Sequence, residues 1–455
     1  MHSQDVIDVT AVIDKEPFRF YQKLLVATCF VLAMLDTIDL TIIGFAVPSL
    51  SASWHLKPYN FAPVIVAGVI AGALGSFVLG TAADWIGRKP TVIAGVLLFS
   101  VFTLLTPTAT SLQSLAIYRF LIGLGLGGMV PNAMAIAGEY SPTRIREQAV
   151  SFAACGLPMG SMAAAVISFL LIPAFGWKSV FYVGGIVPLV IVPFLIWYFP
   201  ESIRFLALKK KNSAQIARIL RAISPSSNFS AENQFVLNEQ RASRSTISSL
   251  FTEGRAPVTL LLFAIFFICL LEMYFFNQWL PSLLQQSGIP MKRAFFVAAI
   301  FGVGGVIGGF VGGWFSKRLD SCRVLGSIFV GTCISVIALS LSHGHPLVIM
   351  VVAFFAGFFT NGATVVEMAV AASVYPTAIR GTGLGWALGV GRIGTIVGPT
   401  LAGILLAMGI AIPKLFLLSA IPVAIGAVAA FVLTGIRRRQ AATPPTVAAA
   451  VLSGR

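Results

Sequence analysis

Asp36 and Asp39 stand three residues apart in Leu35-Asp36-Thr37-Ile38-Asp39-Leu40, inside a stretch that is otherwise largely apolar. In a helix that spacing places both carboxyls on one face. An acid at mid-membrane costs roughly 2.5–3.5 kcal/mol on insertion scales. Two neighbouring anions also repel, so at least one must be protonated, paired or wetted by a cavity. A carboxyl that exchanges between these conditions is a reversible proton site; the alternative is a structural pair with an arginine or the cap of an unwound turn. Two arginines sit in comparably apolar surroundings: Arg119, opening Arg119-Phe120-Leu121-Ile122-Gly123-Leu124-Gly125-Leu126-Gly127, and Arg392 in Gly389-Val390-Gly391-Arg392-Ile393-Gly394. A guanidinium stays charged when buried and offers a planar fork to a carboxylate of the protein or of a substrate. Arg392 is the candidate for an anionic substrate group, with a purely structural ion pair as its alternative. Two further acids are costly in lipid. Glu272 shares a helical face with Phe275, Phe276 and Trp279, and Glu367 shares one with Thr360 and Thr364. Both are candidates for a polar cavity that Trp279 would help line, with plain packing as the alternative reading of the aromatic stripe beside Glu272.

The elements that must hold these groups are membrane helices. The chain is 57% hydrophobic and 10% charged, with a mean hydropathy of +0.91, which is more apolar surface than a soluble core can hide. A span needs about 20 mostly apolar residues. Twelve segments qualify, at 22–49, 62–83, 90–109, 112–136, 148–173, 178–199, 257–282, 294–316, 324–342, 346–372, 382–408 and 412–435. The pattern stops between Pro200 and Pro257, in a polar stretch that contains Lys209-Lys210-Lys211 and Ser224-Pro225-Ser226-Ser227-Asn228. This predicts an all-α protein of two six-helix, pseudo-symmetric bundles. Residues 1–21 form a tail, 22–199 the first bundle, 200–256 a partly helical cytoplasmic linker, 257–435 the second bundle and 436–455 a second tail. An internal echo supports parallel repeats: Pro142-Thr143-Arg144-Ile145-Arg146 follows the fourth segment and Pro376-Thr377-Ala378-Ile379-Arg380 follows the tenth.

The net charge of +15 reports topology. With the amino terminus inside, Lys57, Lys178, Lys292, Arg293 and Lys414 fall outside. The inner side carries Lys15, Arg19, Lys23, Arg88, Lys89, Arg144, Arg146, Lys317, Arg318, Arg323, Arg380 and Arg437. Positive residues stay inside, so both termini are expected in the cytoplasm, and no nucleic-acid partner is expected. The five cysteines are scattered without metal-ligand spacing, and His2, His55, His343 and His345 lie near termini or loops. No metal, cofactor, phosphate-cradling loop or nucleophile–base pair is expected, and hence no enzyme. The polar first twenty residues do not resemble a cleavable signal peptide. The chain is expected to act as a monomer.

Between the second and third segments runs Gly80-Thr81-Ala82-Ala83-Asp84-Trp85-Ile86-Gly87-Arg88-Lys89. Its glycines allow a tight turn, and Asp84, Arg88 and Lys89 can form an ion-pair cluster at the membrane surface. The string resembles the G-x-x-x-D-R/K-x-G-R-R/K signature of the major facilitator superfamily, with Trp85 where that pattern has a basic residue. Glu139, closing the fourth segment beside Tyr140, is expected to face Arg144 and Arg146 as a gate or latch, and Arg380 holds the equivalent place in the second half.

Several strings together resemble the aromatic acid:proton symporter family within that superfamily. They are Asp36-Thr37-Ile38-Asp39 with Ile43-Gly44-Phe45-Ala46-Val47-Pro48, Gly125-Leu126-Gly127-Gly128-Met129-Val130-Pro131-Asn132-Ala133 through Glu139-Tyr140-Ser141-Pro142, Pro200-Glu201-Ser202, Trp279-Leu280-Pro281, and Tyr375-Pro376-Thr377 through Arg380-Gly381-Thr382-Gly383 and Gly391-Arg392. The resemblance implies proton-driven import of a small aromatic carboxylate, of hydroxybenzoate or phenylpropanoid type, across a bacterial inner membrane by alternating access. Asp36, Asp39 and Arg119 would couple protons, Arg392 and Asn132 would meet substrate, and Glu139, Arg146 and Arg380 would gate. Thr37 stands where the family commonly has Gly, and Glu272 and Glu367 lie outside its pattern. Direction is not written in these motifs, which leaves open another small carboxylate or zwitterion, or export by proton antiport.

Overall fold

The protein is seen in a computed structural model that describes residues 6–209, 213–225, 229–230, 232–236, 247–252, 254–342, 346–375 and 377–442. His2, Lys210, Lys211, His343, His345 and the side chain of Arg380 lie outside the described residues. In chain order the helices are α1 (Val9–Lys15), α2 (Phe20–Trp54), α3 (Ala62–Ile86), α4 (Arg88–Leu105), α5 (Leu112–Glu139), α6 (Arg146–Ala154), α7 (Gly156–Phe175), α8 (Lys178–Tyr198), α9 (Ile203–Leu208), α10 (Ser213–Ile223), α11 (Ala256–Gln286), α12 (Met291–Arg318), α13 (Ser321–Leu341), α14 (Pro346–Val374), α15 (Thr377–Ala407) and α16 (Ile412–Ala442). Twelve spans among the described residues are long and apolar enough to cross a membrane, with α6 and α7 forming one of them. Helices are the expected solution, because lipid offers no partner for an unpaired backbone N–H or C=O. The spans agree with the apolar segments read from the sequence to within a few residues at most ends, several running on into polar residues where helical hydrogen bonding continues.

Small residues set the packing. In lipid the apolar surface gains little by leaving one apolar medium for another, so helices associate by close approach. A Cβ on Gly123 or Gly127 of α5 would strike the Gly68 or Gly72 carbonyl of α3, and one on Gly304 or Gly308 of α12 would strike the Phe354 or Phe358 carbonyl of α14. The same kind of contact thus builds α3 on α5 in the first half and α12 on α14 in the second.

The halves meet unequally along their length. A single hydrophobic core containing Phe45, Phe61, Trp177, Phe276, Trp279, Phe295 and Leu415 joins both halves at the end remote from the chain termini. At the end carrying the termini, two separate cores lie within the respective halves. Polar contacts reinforce the joined end. Gln278 donates to the Leu40 carbonyl at 2.9 Å, Ser161 to Asn277 Oδ1 at 3.2 Å, and the Phe45 and Phe295 rings meet edge to face with centroids 5.7 Å apart. Gly44 lies so close to Gln278 that a Cβ would sit 2.5 Å from its carbonyl oxygen. The halves therefore share one core at the far end and, among the described residues, no shared core at the end of the termini.

Two short strands add to the all-α expectation: β1 (Val6–Asp8) pairs in parallel with β2 (Gln234–Val236), so the first tail and the connecting segment brace each other. Asp8 caps α1 through Thr10 N at 3.0 Å, and Asp14 accepts from Thr143 N at 2.6 Å. Arg144 donates to the Asp14 and Glu16 carbonyls at 2.9 and 2.8 Å. A hydrogen bond from Ser224, aided by Arg19, holds the Glu16 carboxyl below its usual range.

The glycine packing predicts opposite outcomes at two positions. Gly127→Val should lower stability by about 1–3 kcal/mol through overpacking, whereas Gly80→Ala, where a Cβ meets nothing within 4 Å, should be neutral or slightly stabilising. Thermal unfolding of the detergent-solubilised protein reads both.

Candidate functional site

Asp39 is the best-anchored acid in the membrane interior. It is 1% exposed and Arg119 is 2% exposed. Arg119 on α5 reaches Asp39 on α2 twice, with Nη1 3.2 Å from Oδ2 and Nη2 donating to the Asp39 carbonyl at 3.1 Å. Thr103 on α4 donates to Oδ1 at 2.6 Å. Three helices of the first half are thus held by one carboxylate. Such a pair is costly to bury but costlier to break, because removing either partner strands the other charge.

Asp36 takes a different direction. One helical turn away and only half-buried, it faces the second half, where Arg392 on α15 and Tyr274 on α11 act on it electrostatically. Arg392 is also half-buried and forms no salt bridge among the described residues. The spacing puts both acids on one side of α2, but residues three apart differ by about 60° around a helix. That angle is enough to send Asp39 into its own half and Asp36 across the cleft. An unpaired acid, an unpaired guanidinium and a phenol from three helices therefore converge between the halves. The guanidinium can accept a second carboxylate, and the phenol can donate to one.

The remaining expected substrate contacts are placed elsewhere in this conformation. Trp279 is fully buried in the sealed end, its indole N–H donating to the Pro399 carbonyl at 3.1 Å. Asn132 is buried in α5 and donates to the Gly128 carbonyl of its own helix at 2.7 Å. Glu272 and Glu367 are 2% and 0% exposed inside the second half, rather than beside Arg392.

At the end of the termini, the structure rewires the expected ion-pair cluster. Asp84 is exposed and pairs with no cation among the described residues. Arg88 instead forms its salt bridge with Glu139 at 2.5 Å, and Ser202 donates to the other Glu139 oxygen at 2.6 Å. Glu139 thus binds α4 to α5 rather than the Arg144 loop, while Arg144 is engaged by the first tail. Arg146 lines a small cleft with Glu139, Val9 and Ile13. Lys89 Nζ donates to the Ile196 carbonyl at 2.6 Å. The acid that replaces Asp84 in this cluster is Glu201. Its Oε1 accepts from Arg88 N at 2.7 Å, Lys89 N at 3.3 Å and Ser202 N at 2.7 Å, capping the positive end of α4. Gly87 makes room for it: φ is +106°, and a Cβ there would collide with the Glu201 carboxylate. Tyr140 closes the arrangement by donating to the Glu201 carbonyl at 2.6 Å.

Sequence reasoning missed Tyr274, Thr103 and Glu201 as site residues. Tyr274 and Thr103 each put a hydroxyl into an apolar span, which was a readable signal. Nothing local to Glu201 announces a partner more than a hundred residues away.

Two predictions follow from these contacts. Asp39→Asn should cost about 3–5 kcal/mol of stability by leaving Arg119 buried without a counter-charge, and Asp39→Asn with Arg119→Gln should recover much of it, read by thermal unfolding. Gly87→Ala should lower the melting temperature more than Gly80→Ala, because it both strains the backbone and displaces the Glu201 cap.

Residues 29–321 and 294–453 match the family model described as Major Facilitator Superfamily. The gallate transporter of Pseudomonas putida is 37% identical over 446 residues, covering 97% of this chain and 98% of that protein. The 4-hydroxybenzoate transporter PcaK of Acinetobacter baylyi is 34% identical over 430 residues, covering 94% of each. Among solved structures, a bacterial homologue of the human lysosomal transporter Spinster, inward-facing and unoccupied, superposes with a TM-score of 0.72 at 15% identity, covering 94% of this chain and all of that one. The xylose transporter XylE of Escherichia coli gives 0.68 at 14% identity, covering 91% and 97%.

Proposed function

The chain belongs to the Major Facilitator Superfamily, and from that premise we propose that it imports a small aromatic carboxylate together with protons by alternating access. It is a multi-pass membrane transporter and not an enzyme. The observation that carries the proposal is the convergence of Asp36, Tyr274 and Arg392 between the halves. The names of the relatives, a gallate and a 4-hydroxybenzoate transporter, support the substrate class.

In this reading the chain lies in a bacterial inner membrane with both termini cytoplasmic, and the conformation described above is open to the cytoplasm. Substrate carboxylate docks on Arg392 and accepts from the Tyr274 hydroxyl. Protonation of Asp36 removes the anion that would otherwise compete for Arg392, so proton and substrate favour each other's binding. Asp39, held by Arg119 and Thr103, is the second acid of the proton path; when it takes a proton, its hold on Arg119 slackens and the first half can rearrange. The outward-open state requires the joined end to part at Gly44 and Gln278, and the inner ends to close. The Glu139, Arg88 and Glu201 cluster, with Lys89, Arg146 and Arg380, would gate that inner closure, and Asp84 lies free on the surface to pair across it. Trp279, released from the sealed core in the outward-open state, would join the aromatic wall of the cavity, with Asn132 opposite.

Uptake of labelled benzoates, hydroxybenzoates, phenylpropanoids, aliphatic acids and zwitterions into proteoliposomes tests this directly. Accumulation of an aromatic acid should rise with an inward proton gradient. Arg392→Ala should raise KM by about tenfold or more, as expected for losing a charge-assisted hydrogen bond worth roughly 1.5–3 kcal/mol. Preference for an aliphatic acid or zwitterion, or efflux driven by the same gradient, would reject the reading.

A further inference from the structure

Glu272 on α11 and Glu367 on α14 have no part in the site between the halves. They are 2% and 0% exposed, and the donors offered to their carboxyls are weak or shared: the Cys269 thiol for Glu367 and the Ser419 hydroxyl for Glu272. No arginine or lysine among the described residues forms an ion pair with either. The groups around them come from three helices and none is cationic. Cys269, one turn before Glu272 on α11, lies against Glu367. Cys333 of α13 lies near Glu272. Ser419 of α16 is also close to Glu272, but its hydroxyl donates to the Phe416 carbonyl at 3.0 Å. An ionised carboxylate with neither water nor a cation in reach is far costlier than the neutral acid, which is itself a hydrogen-bond donor.

We propose that Glu272 and Glu367 form a second proton-holding site, inside the second half, whose proton crosses with the substrate in addition to the one carried on α2. The proposal rests on the import reading above. It is tied to the transport cycle by α11. Within two turns that helix presents Glu272 to the bundle interior, Tyr274 to Asp36 and Arg392, Phe275 and Phe276 to the sealed core, and Gln278 to the Leu40 carbonyl of α2. Phe276 also stacks on Phe416 at 6.0 Å, one turn from Ser419. In the proposed cycle, parting the sealed end frees Gln278 from α2, and the turn of α11 bearing Glu272 moves with it toward the interface between the halves, where Tyr274 lies near Asp36 and Arg392. There water can take or return the proton. The charge count then changes. A monoanion with one proton crosses neutral, whereas a second proton makes each cycle carry one net positive charge inward.

The test uses full-length protein in proteoliposomes with labelled 4-hydroxybenzoate as probe, at equal pH on both sides and with a potassium diffusion potential negative inside. One net charge at about 100 mV supports roughly fifty-fold accumulation at equilibrium. Wild type should show potential-driven accumulation, and Glu367→Gln and Glu272→Gln should each lose the dependence on potential. Infrared spectra of the same samples at neutral pH should show a protonated-carboxyl band in wild type that weakens in each variant. Potential dependence equal to wild type in both variants, potential-independent uptake by wild type, or no band difference between wild type and variants would overturn the proposal. Absence of any probe uptake by wild type would instead overturn the import reading, and the infrared band would still decide whether the pair holds protons.

Discussion

Ionisable side chains in a lipid-solvated protein must find a partner, find water or give up their charge, and this constraint organises the structure described here. The Asp39–Arg119 pair is its firmest expression. Thr103 and the Asp39 carbonyl complete the arrangement, so that α2, α4 and α5 are tied at one point in the interior of the first half. Asp36, one turn away on the same helix, is left to face the second half, where Arg392 acts on it without forming a salt bridge among the described residues.

The packing of the helices frames this electrostatic arrangement. Glycine contacts hold α3 closely on α5 and α12 closely on α14. Between the halves, the contact is an apolar core at one end and two independent cores at the other. Two halves joined at one end are suited to rocking, and α11 is the helix on which the consequences meet, since it carries both the seal and Tyr274. In the proposed cycle, neutralising acids on α2 and α11 is what lets that seal open and re-form.

Much of this was legible in the chain itself. The twelve spans follow from apolar runs of sufficient length, and the two halves from the interruption after Pro200. The singular interior charges stood out because lipid makes them expensive. The pairings were less accessible. Spacing placed Asp36 and Asp39 on one face but could not resolve the angle that separates their partners. Asp84 was expected to complete the Arg88 cluster because it is near in sequence, whereas folding delivers Glu139 and Glu201 from the ends of α5 and α8, and Gly87 exists to admit the latter. Glu272 and Glu367 were expected to line the cavity because lipid exposure is costly. Burial inside one half meets the same cost in another way, and periodicity alone does not distinguish the two.

Coupling of proton to substrate is the step on which the proposed cycle depends. The measurement is the external pH of a weakly buffered suspension of de-energised proteoliposomes when an aromatic carboxylate is added and its entry is followed in parallel. Alkalinisation that keeps pace with substrate entry, and that is absent from vesicles carrying Asp36→Asn with Asp39→Asn, is the predicted result. Substrate entry with no change in external pH would contradict it.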